Sequence, residues 1–171
     1  MERTTLQSDV TTRAVCRHLV ATLAYRAAKV LRDAPPDFAQ ASFGSSTRKP
    51  VLILAHLGDL IAWAITLTRG DFVWKAEGSG DWKTEVARFF ENLSMLDREL
   101  ASDARELSIE KLIQGPLADA LTHVGQLAML RGMAGAPVRP ESFARAEIVV
   151  GRVGVEQAPP GREFDGDASA P

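Results

Sequence analysis

Three side chains that commonly bind transition metals occur in two apolar stretches of the sequence. Asp119 and His123 are four residues apart in DALTHVGQLAMLRG, and His56 lies in LILAHLGDLIAW. Side chains four residues apart lie on one helix face, with Cβ atoms about 5–6 Å apart, so Asp119 and His123 can bind one ion together. We predict that His56, from a neighbouring helix, is a third ligand. Two imidazoles and one carboxylate suit zinc, nickel or ferrous iron and leave coordination positions for water or a substrate.

The same three residues also have simpler explanations. A carboxylate in the first turn of a helix, the predicted place of Asp119, is favoured by the helix dipole and needs no metal. His56 and His123 could be core histidines that are hydrogen bonded to backbone carbonyls. Against this, an unpaired carboxylate that faces a neighbouring helix costs several kcal/mol to desolvate, which favours a cation beside Asp119. The sequence leaves both interpretations open.

Four further residues are predicted to surround the metal or to line a pocket beside it. Gln126 lies one turn after His123 and could orient that ligand or a bound water. Asp59 and Trp63 lie in the stretch LILAHLGDLIAW, and Arg131 would pair with an acidic substrate group or lie at the surface. Other metal and catalytic motifs are not found: the ExxH pairs of di-iron bundles, a phosphate-binding glycine loop and a serine nucleophile elbow.

Four helical patterns would position these residues. The predicted helices cover residues 10–33, with Ser8 or Asp9 as the cap, Pro50 to about Thr68, Trp82 to Leu100 behind the cap Asp81, and Gly115-Pro116 to about Gly135. The third pattern is the most regular, since its apolar residues recur at spacings of three and four. A short turn is predicted between residues 108 and 114. No comparable run of alternating strand residues occurs, so the predicted fold is an all-α four-helix bundle.

Composition places the chain among single-domain globular proteins. Its 171 residues are 46% hydrophobic and 25% charged, and this profile predicts one domain over residues 1–155. Residues 156–171 combine proline, glycine and acidic residues with few apolar ones, so a disordered tail is predicted there.

Charge and cysteine content narrow the expected partners and location. There are 20 basic and 22 acidic residues, without the basic surface that nucleic acids require, and Arg48 and Lys49 are interpreted as solvated surface. Polar and glycine residues interrupt the apolar run 51–67, so it is interpreted as a buried helix and no membrane partner is expected. One cysteine and a polar N-terminal segment favour a cytoplasmic location.

Three stretches resemble the DinB-like family of metal-binding four-helix bundles: LAHLGDLIAW, DWKTEVARFFENLSMLDREL and PLADALTHVGQLAMLRGMAGAPV. The resemblance covers about residues 8–150 and is most specific in the last stretch, where a histidine-x-Gly-Gln order is followed by an arginine. It implies an up-down-down-up bundle, commonly a homodimer, whose divalent metal is bound at the positions of His56, Asp119 and His123. Many members have a histidine at the position of Asp119, so the aspartate would change the charge of the site.

The resemblance also suggests a class of reaction. Members of the family with known activity include thiol-dependent transferases and isomerases, which use low-molecular-weight thiols such as mycothiol or bacillithiol. A bound metal lowers the pKa of a thiol and so favours the thiolate nucleophile. The expected function is therefore a metal-dependent enzyme, either a thiol-dependent transferase or a hydrolase that acts on a small molecule. The alternative is a non-catalytic dimeric bundle that binds a metal or a small ligand.

Overall fold

The computed structural model describes residues 10–102 and 106–164, and these residues form an all-α structure. The helices, numbered in chain order, are α1 Val10–Leu31, α2 Pro50–Thr68, α3 Trp82–Ala101, α4 Ile109–Leu112 and α5 Ala118–Met133. Two short 3-10 turns lie at Phe38–Gln40 and Phe143–Arg145. Within the described ranges there is no β-strand, only an isolated bridge between Glu141 and Glu163. The predicted caps of α1, Ser8 and Asp9, lie outside these ranges.

Local sequence signals explain where α2 and α3 begin and end. Pro50 occupies the first turn of α2, where its missing N–H costs no hydrogen bond, and Gly70 follows the helix with a φ of 85° that disfavours other residues. Asp81 caps α3 by accepting a hydrogen bond of 2.8 Å from the backbone N–H of Thr84. The predictions of these two helices and of the Asp81 cap are confirmed.

The predicted turn between residues 108 and 114 is wrong, because α4 occupies part of it. A wide π-type turn, Ile113–Leu117, joins α4 to α5 and contains the non-helical residue Gly115, with φ −94° and ψ −105°. Pro116 cannot donate a backbone hydrogen bond and its ring needs space in the preceding turn, so the chain kinks here between α4 and α5. A Cβ at Gly115 would lie 3.3 Å from the Trp63 ring, so glycine also lets α2 approach closely.

The four long helices surround one apolar core. α1 and α2 each pack against both α3 and α5. By length and composition α2 is apolar enough to cross a membrane, and 67% of its most apolar window is buried inside the protein. The prediction that this helix is largely buried is confirmed. The largest buried side chains of the core include Leu23, Leu54, Leu57, Ile61, Phe89, Leu93 and Leu96.

A buried ion cluster, formed by Asp59, Glu85 and Arg88, joins α2 to α3. Arg88 donates hydrogen bonds to Asp59 at 2.8 Å and to Glu85 at 2.8 Å. Glu85 is fully buried and also accepts a hydrogen bond from the backbone N–H of Ser79. Asp59 does not line a pocket beside His56, contrary to the prediction, because its carboxylate is bound by Arg88 on α3.

Acid is expected to weaken the buried ion cluster. Burial by itself raises the pKa of Glu85, but hydrogen bonds from Ser79 and Arg88 outweigh burial and lower this pKa below its ordinary value of 4.5. A carboxylate whose pKa is lower in the folded than in the unfolded state stabilises the protein at pH values above its unfolded-state pKa. This contribution is lost as the pH falls through the pKa of the folded state. Between about pH 5 and pH 3, the free energy of unfolding should therefore fall more in the wild type than in Glu85→Gln. Urea denaturation measures both falls, and equal falls would contradict the prediction.

Arg131 joins the end of α5 to the end of α1. Its Nη1 donates hydrogen bonds of 2.8 Å to the backbone carbonyls of Val30 and Arg32, and its Nε donates to the carbonyl of Ala136. The side chain is buried. Both sequence interpretations of Arg131 are therefore wrong. Its guanidinium is not free to bind a substrate, and its side chain does not lie at the surface. It instead donates hydrogen bonds to backbone carbonyls at the end of α1, which have no partners within the helix.

The beginning of the predicted tail packs against α1. Lys29 of α1 pairs with Glu141 at 2.8 Å and with Glu163 at 2.6 Å. The prediction of disorder is therefore wrong for residues 156–164, because Glu163 pairs with Lys29 of α1 and the backbone of residues 161–164 is hydrogen bonded to residues 140–142. Residues 165–171 lie outside the described part of the chain.

Candidate metal centre

The three predicted ligands meet where α2 packs against α5. His56 Nε2 lies 3.7 Å from Oδ2 of Asp119, and His123 Nε2 lies 3.5 Å from Oδ1 of Asp119. One potential ligand atom from each residue can be chosen so that all three lie within 4.8 Å of one another. The two imidazole rings are nearly perpendicular, at 87°, with centroids 4.7 Å apart. The structure therefore brings together the residues that the sequence predicts as one ligand group.

The spacing of these atoms fits a single divalent ion. Zinc ligands lie about 2.0–2.1 Å from the ion in tetrahedral sites, which places any two ligand atoms about 3.4 Å apart. The distances of 3.5 and 3.7 Å from Asp119 to the histidines are close to this value, although they end on different oxygens of the carboxylate. One ligand atom from each residue gives a set that lies within 4.8 Å, so binding of an ion would draw the three side chains closer together. Two neutral imidazoles and one carboxylate are also the donor types that zinc, nickel and ferrous iron accept. Three protein ligands would leave at least one coordination position open.

Gln126, one turn further along α5, is hydrogen bonded to the imidazole of His123. The Oε1 atom of Gln126 lies 2.7 Å from Nδ1 of His123. An amide oxygen only accepts hydrogen bonds, so this contact places the imidazole proton on Nδ1. The lone pair is then on Nε2, the nitrogen that lies nearest to Asp119. Such contacts fix the tautomer and the ring orientation of metal-binding histidines.

Gln126→Ala is expected to weaken zinc binding about 10- to 100-fold, because the His123 ring loses the partner that fixes its tautomer. Gln126→Glu keeps an acceptor at the same place and should retain the wild-type affinity or exceed it. Gln126 is exposed, so neither change should alter the free energy of unfolding by more than about 0.5 kcal/mol. Isothermal titration with zinc measures the affinities, and an alanine variant as tight as wild type would refute the positioning role.

His56 is held in its neutral, metal-binding form. Partial burial lowers the pKa of His56, and the charges of His123 and Arg48 act in the same direction, against Asp119 and Asp59. A neutral imidazole can offer its lone pair to a cation at neutral pH. The His56 side chain is 24% exposed, so a small ligand can reach it from the surface.

Aromatic rings form one wall beside His56. The Trp74 ring meets the imidazole edge to face, with centroids 5.5 Å apart. Trp63, predicted as a pocket residue, lies behind this ring, with its centroid 5.9 Å from that of Trp74. Phe72 extends the wall on the far side of Trp63. Trp63 therefore supports the wall and does not touch the imidazole through any of the observed ring contacts.

Asp119 is more exposed than the sequence argument assumed. Its side chain is 48% exposed, so water solvates the carboxylate even without a cation. The expected desolvation cost therefore does not require a metal beside Asp119. The case for a metal rests instead on the convergence of three donor atoms from two helices.

A cleft of about 420 Å³ opens beside the two histidines. Its other polar walls come from Gln126 and from Ser46, Thr47 and Arg48, which lie in the connection before α2, and its apolar walls include Met129. Sequence reasoning did not single out Ser46 and Thr47, and it interpreted Arg48 as solvated surface, because these residues approach α5 only after the chain folds. The one available signal was their position just before the first turn of the helix that carries His56.

Comparisons of this chain with protein-family models, with curated proteins and with solved structures gave no match.

Proposed function

We propose that this chain is a divalent-metal-dependent enzyme of the DinB-like type, in which His56, Asp119 and His123 bind zinc, nickel or ferrous iron. The observation that carries the proposal is the convergence of three donor atoms within 4.8 Å from two separate helices. The cleft beside the histidines supports a catalytic role, because its volume suits a small substrate.

Contacts at the helix ends support the up-down-down-up arrangement implied by the resemblance. The buried ion cluster joins the first halves of α2 and α3, and Arg69, just after α2, pairs with Glu99 near the end of α3. In contrast, Arg17 near the start of α1 pairs with Asp97 near the end of α3. The ends of α1 and α5 meet at Arg131. These contacts suit α2 and α3 running together, opposite to α1 and α5.

Transfer of an external thiol is the reaction that suits the site best. When bound, a divalent metal lowers the pKa of a thiol or a water beside it. The ordinary pKa of a thiol is about 8.5 and that of water is about 15.7, so a metal has to lower the pKa of a thiol much less to form the nucleophilic anion at neutral pH. Among the described residues that line the cleft, none is a carboxylate that could act as a base. This favours a thiol-dependent transferase over a hydrolase.

The thiol would have to come from a second molecule. Cys16 is the only cysteine of the chain, and it is buried in the core. Burial raises the pKa of the Cys16 thiol to about 11, so this side chain stays protonated at neutral pH. A low-molecular-weight thiol is therefore the proposed cosubstrate, and the chain's own residues orient His123 and enclose the cleft.

The metal part of this proposal is tested by elemental analysis of protein purified without chelator, followed by titration with zinc, nickel and iron. We expect about one ion per chain at a site of this kind. Protein that contains no metal and takes up none of the three ions would overturn the proposal. Thiol transfer is then tested on the loaded protein with small electrophiles and low-molecular-weight thiols.

The alternative is a dimeric bundle that binds a metal or a small ligand without catalysis. It is favoured by Met129 and Met133, which lie one turn apart on α5 and are 61% and 60% exposed. Exposed apolar side chains of this size are typical of contact surfaces between proteins. Thermal-shift measurements separate the two proposals: stabilisation of the metal-loaded protein by thiols favours the enzyme, and stabilisation by a metal alone or by apolar ligands alone favours the binding protein.

A further inference from the structure

We propose that Arg48, together with Ser46 and Thr47, forms an anion-binding subsite in the cleft, and that the thiol or the substrate carries a carboxylate, sulfonate or phosphate group there. This inference rests on the proposed metal site, since it names the substrate class of that site. The three residues form one wall of the same cleft that His56 and His123 line.

Arg48 has no partner of its own within the described part of the chain. No described carboxylate pairs with it, and no hydrogen bond of its guanidinium is observed there. The neighbouring cation, Lys49, instead donates a hydrogen bond of 3.2 Å to Gln40. Arginine presents several N–H donors in a planar fork that matches the oxygens of carboxylates, sulfonates and phosphates. Arg48 is therefore available to a ligand in the cleft.

The charge balance of the cleft also favours an anion. A divalent ion with Asp119 leaves one positive charge, which a thiolate would neutralise. Arg48 then remains as an unbalanced positive charge, because the described residues that line the cleft include no acidic one. The first turn of α2 contains no acidic residue either, and the positive end of its helix dipole adds to the field of Arg48. A second negative group on the ligand would balance this charge.

The volume and the lining of the cleft limit the size and polarity of the rest of the ligand. Its volume of about 420 Å³ is in the lower part of the range for small-molecule sites. Ile53, Met129 and Leu130 supply apolar surface between the histidines and the open side. The ligand class that fits is therefore a small anionic molecule with a short apolar part.

The test compares two thiols of similar size on zinc-loaded protein: 2-mercaptoethanesulfonate, which is anionic, and 2-mercaptoethanol, which is neutral. A sulfonate binds metals weakly, so a difference between the two thiols reports on the protein. We expect wild type to bind the sulfonate about tenfold more tightly by isothermal titration, and to lose this preference as salt is raised. Arg48→Met should abolish the preference, and Lys49→Met should retain it; the zinc affinity of each variant is measured first, so that both thiols are compared on fully loaded protein.

The outcomes separate this inference from the proposed function. Equal affinities for the two thiols in wild type, or a preference that Arg48→Met retains, would overturn the anion subsite while the metal site stands. A wild type that binds no metal would overturn the proposed function. In that case ethanesulfonate is titrated into metal-free protein: weaker binding to Arg48→Met than to wild type and Lys49→Met supports the subsite, and equal binding to all three overturns it.

Discussion

Replacing His123 with alanine is expected to lower the affinity for zinc by roughly 100- to 1,000-fold. Zinc sites with four protein ligands bind with about 10–16 kcal/mol, so each ligand contributes about 3 kcal/mol, and about 1.4 kcal/mol corresponds to tenfold in affinity. His123 is placed to bind through Nε2, and Gln126 already holds its other nitrogen. Competition titration with a chromogenic chelator measures the loss.

His18→Ala is the matched control for this experiment. His18 is exposed on α1, which does not contribute to the candidate metal centre, so its loss should leave zinc affinity unchanged. Asp119→His replaces the carboxylate with a third imidazole, which zinc also accepts, and it should retain zinc binding. If His123→Ala binds zinc as tightly as His18→Ala does, the ligand assignment is wrong.

Replacing Arg88 with alanine is expected to destabilise the protein by about 3–5 kcal/mol, because two carboxylates would be left buried without their cation. Arg88 binds both Asp59 and Glu85, whose side chains are 7% and 0% exposed. For a chain of this length, the loss corresponds to a fall in melting temperature of roughly 10 °C. Chemical denaturation at neutral pH measures the free energy, and circular dichroism measures the melting temperature.

Arg69→Ala provides the comparison, since Arg69 pairs with Glu99 in an ion pair of similar length. The side chains of Arg69 and Glu99 are 48% and 30% exposed, so water replaces the lost partner. The expected cost is at most about 1 kcal/mol. If both alanine variants lose the same small amount of stability, burial of the ion cluster does not contribute as proposed.

Several elements follow from local signals in the sequence. Pro50 and Gly70 bound α2, and Asp81 caps α3, because each conformation depends on the residue itself and its near neighbours. The pairing of Asp119 with His123 was equally predictable, since four residues make about one helical turn. The single turn of α4 was missed because Gly115 and Pro116 are typical of a helix start, and a short helix that ends at a kink just before them leaves no separate signal in the sequence.

Other features depend on residues far apart in the chain. The buried ion cluster requires Asp59 and Arg88 to meet across two helices, and Gly58 leaves the space for the guanidinium, which would lie 2.7 Å from a Cβ at that position. Arg131 was misinterpreted for the same reason, because its partners are carbonyls at the end of α1. Charge and spacing along the sequence do not identify such partners.

The sequence by itself determined the four long helices, their apolar faces and the types of ligand available, because these depend on side-chain chemistry and on helical periodicity. Only the tertiary structure decided that His56 lies beside the two candidate ligands on α5, that Asp59 pairs with Arg88 instead, and that Arg48 lines the cleft. The physical reason is that helix packing sets these distances, and packing depends on the shape of the whole core.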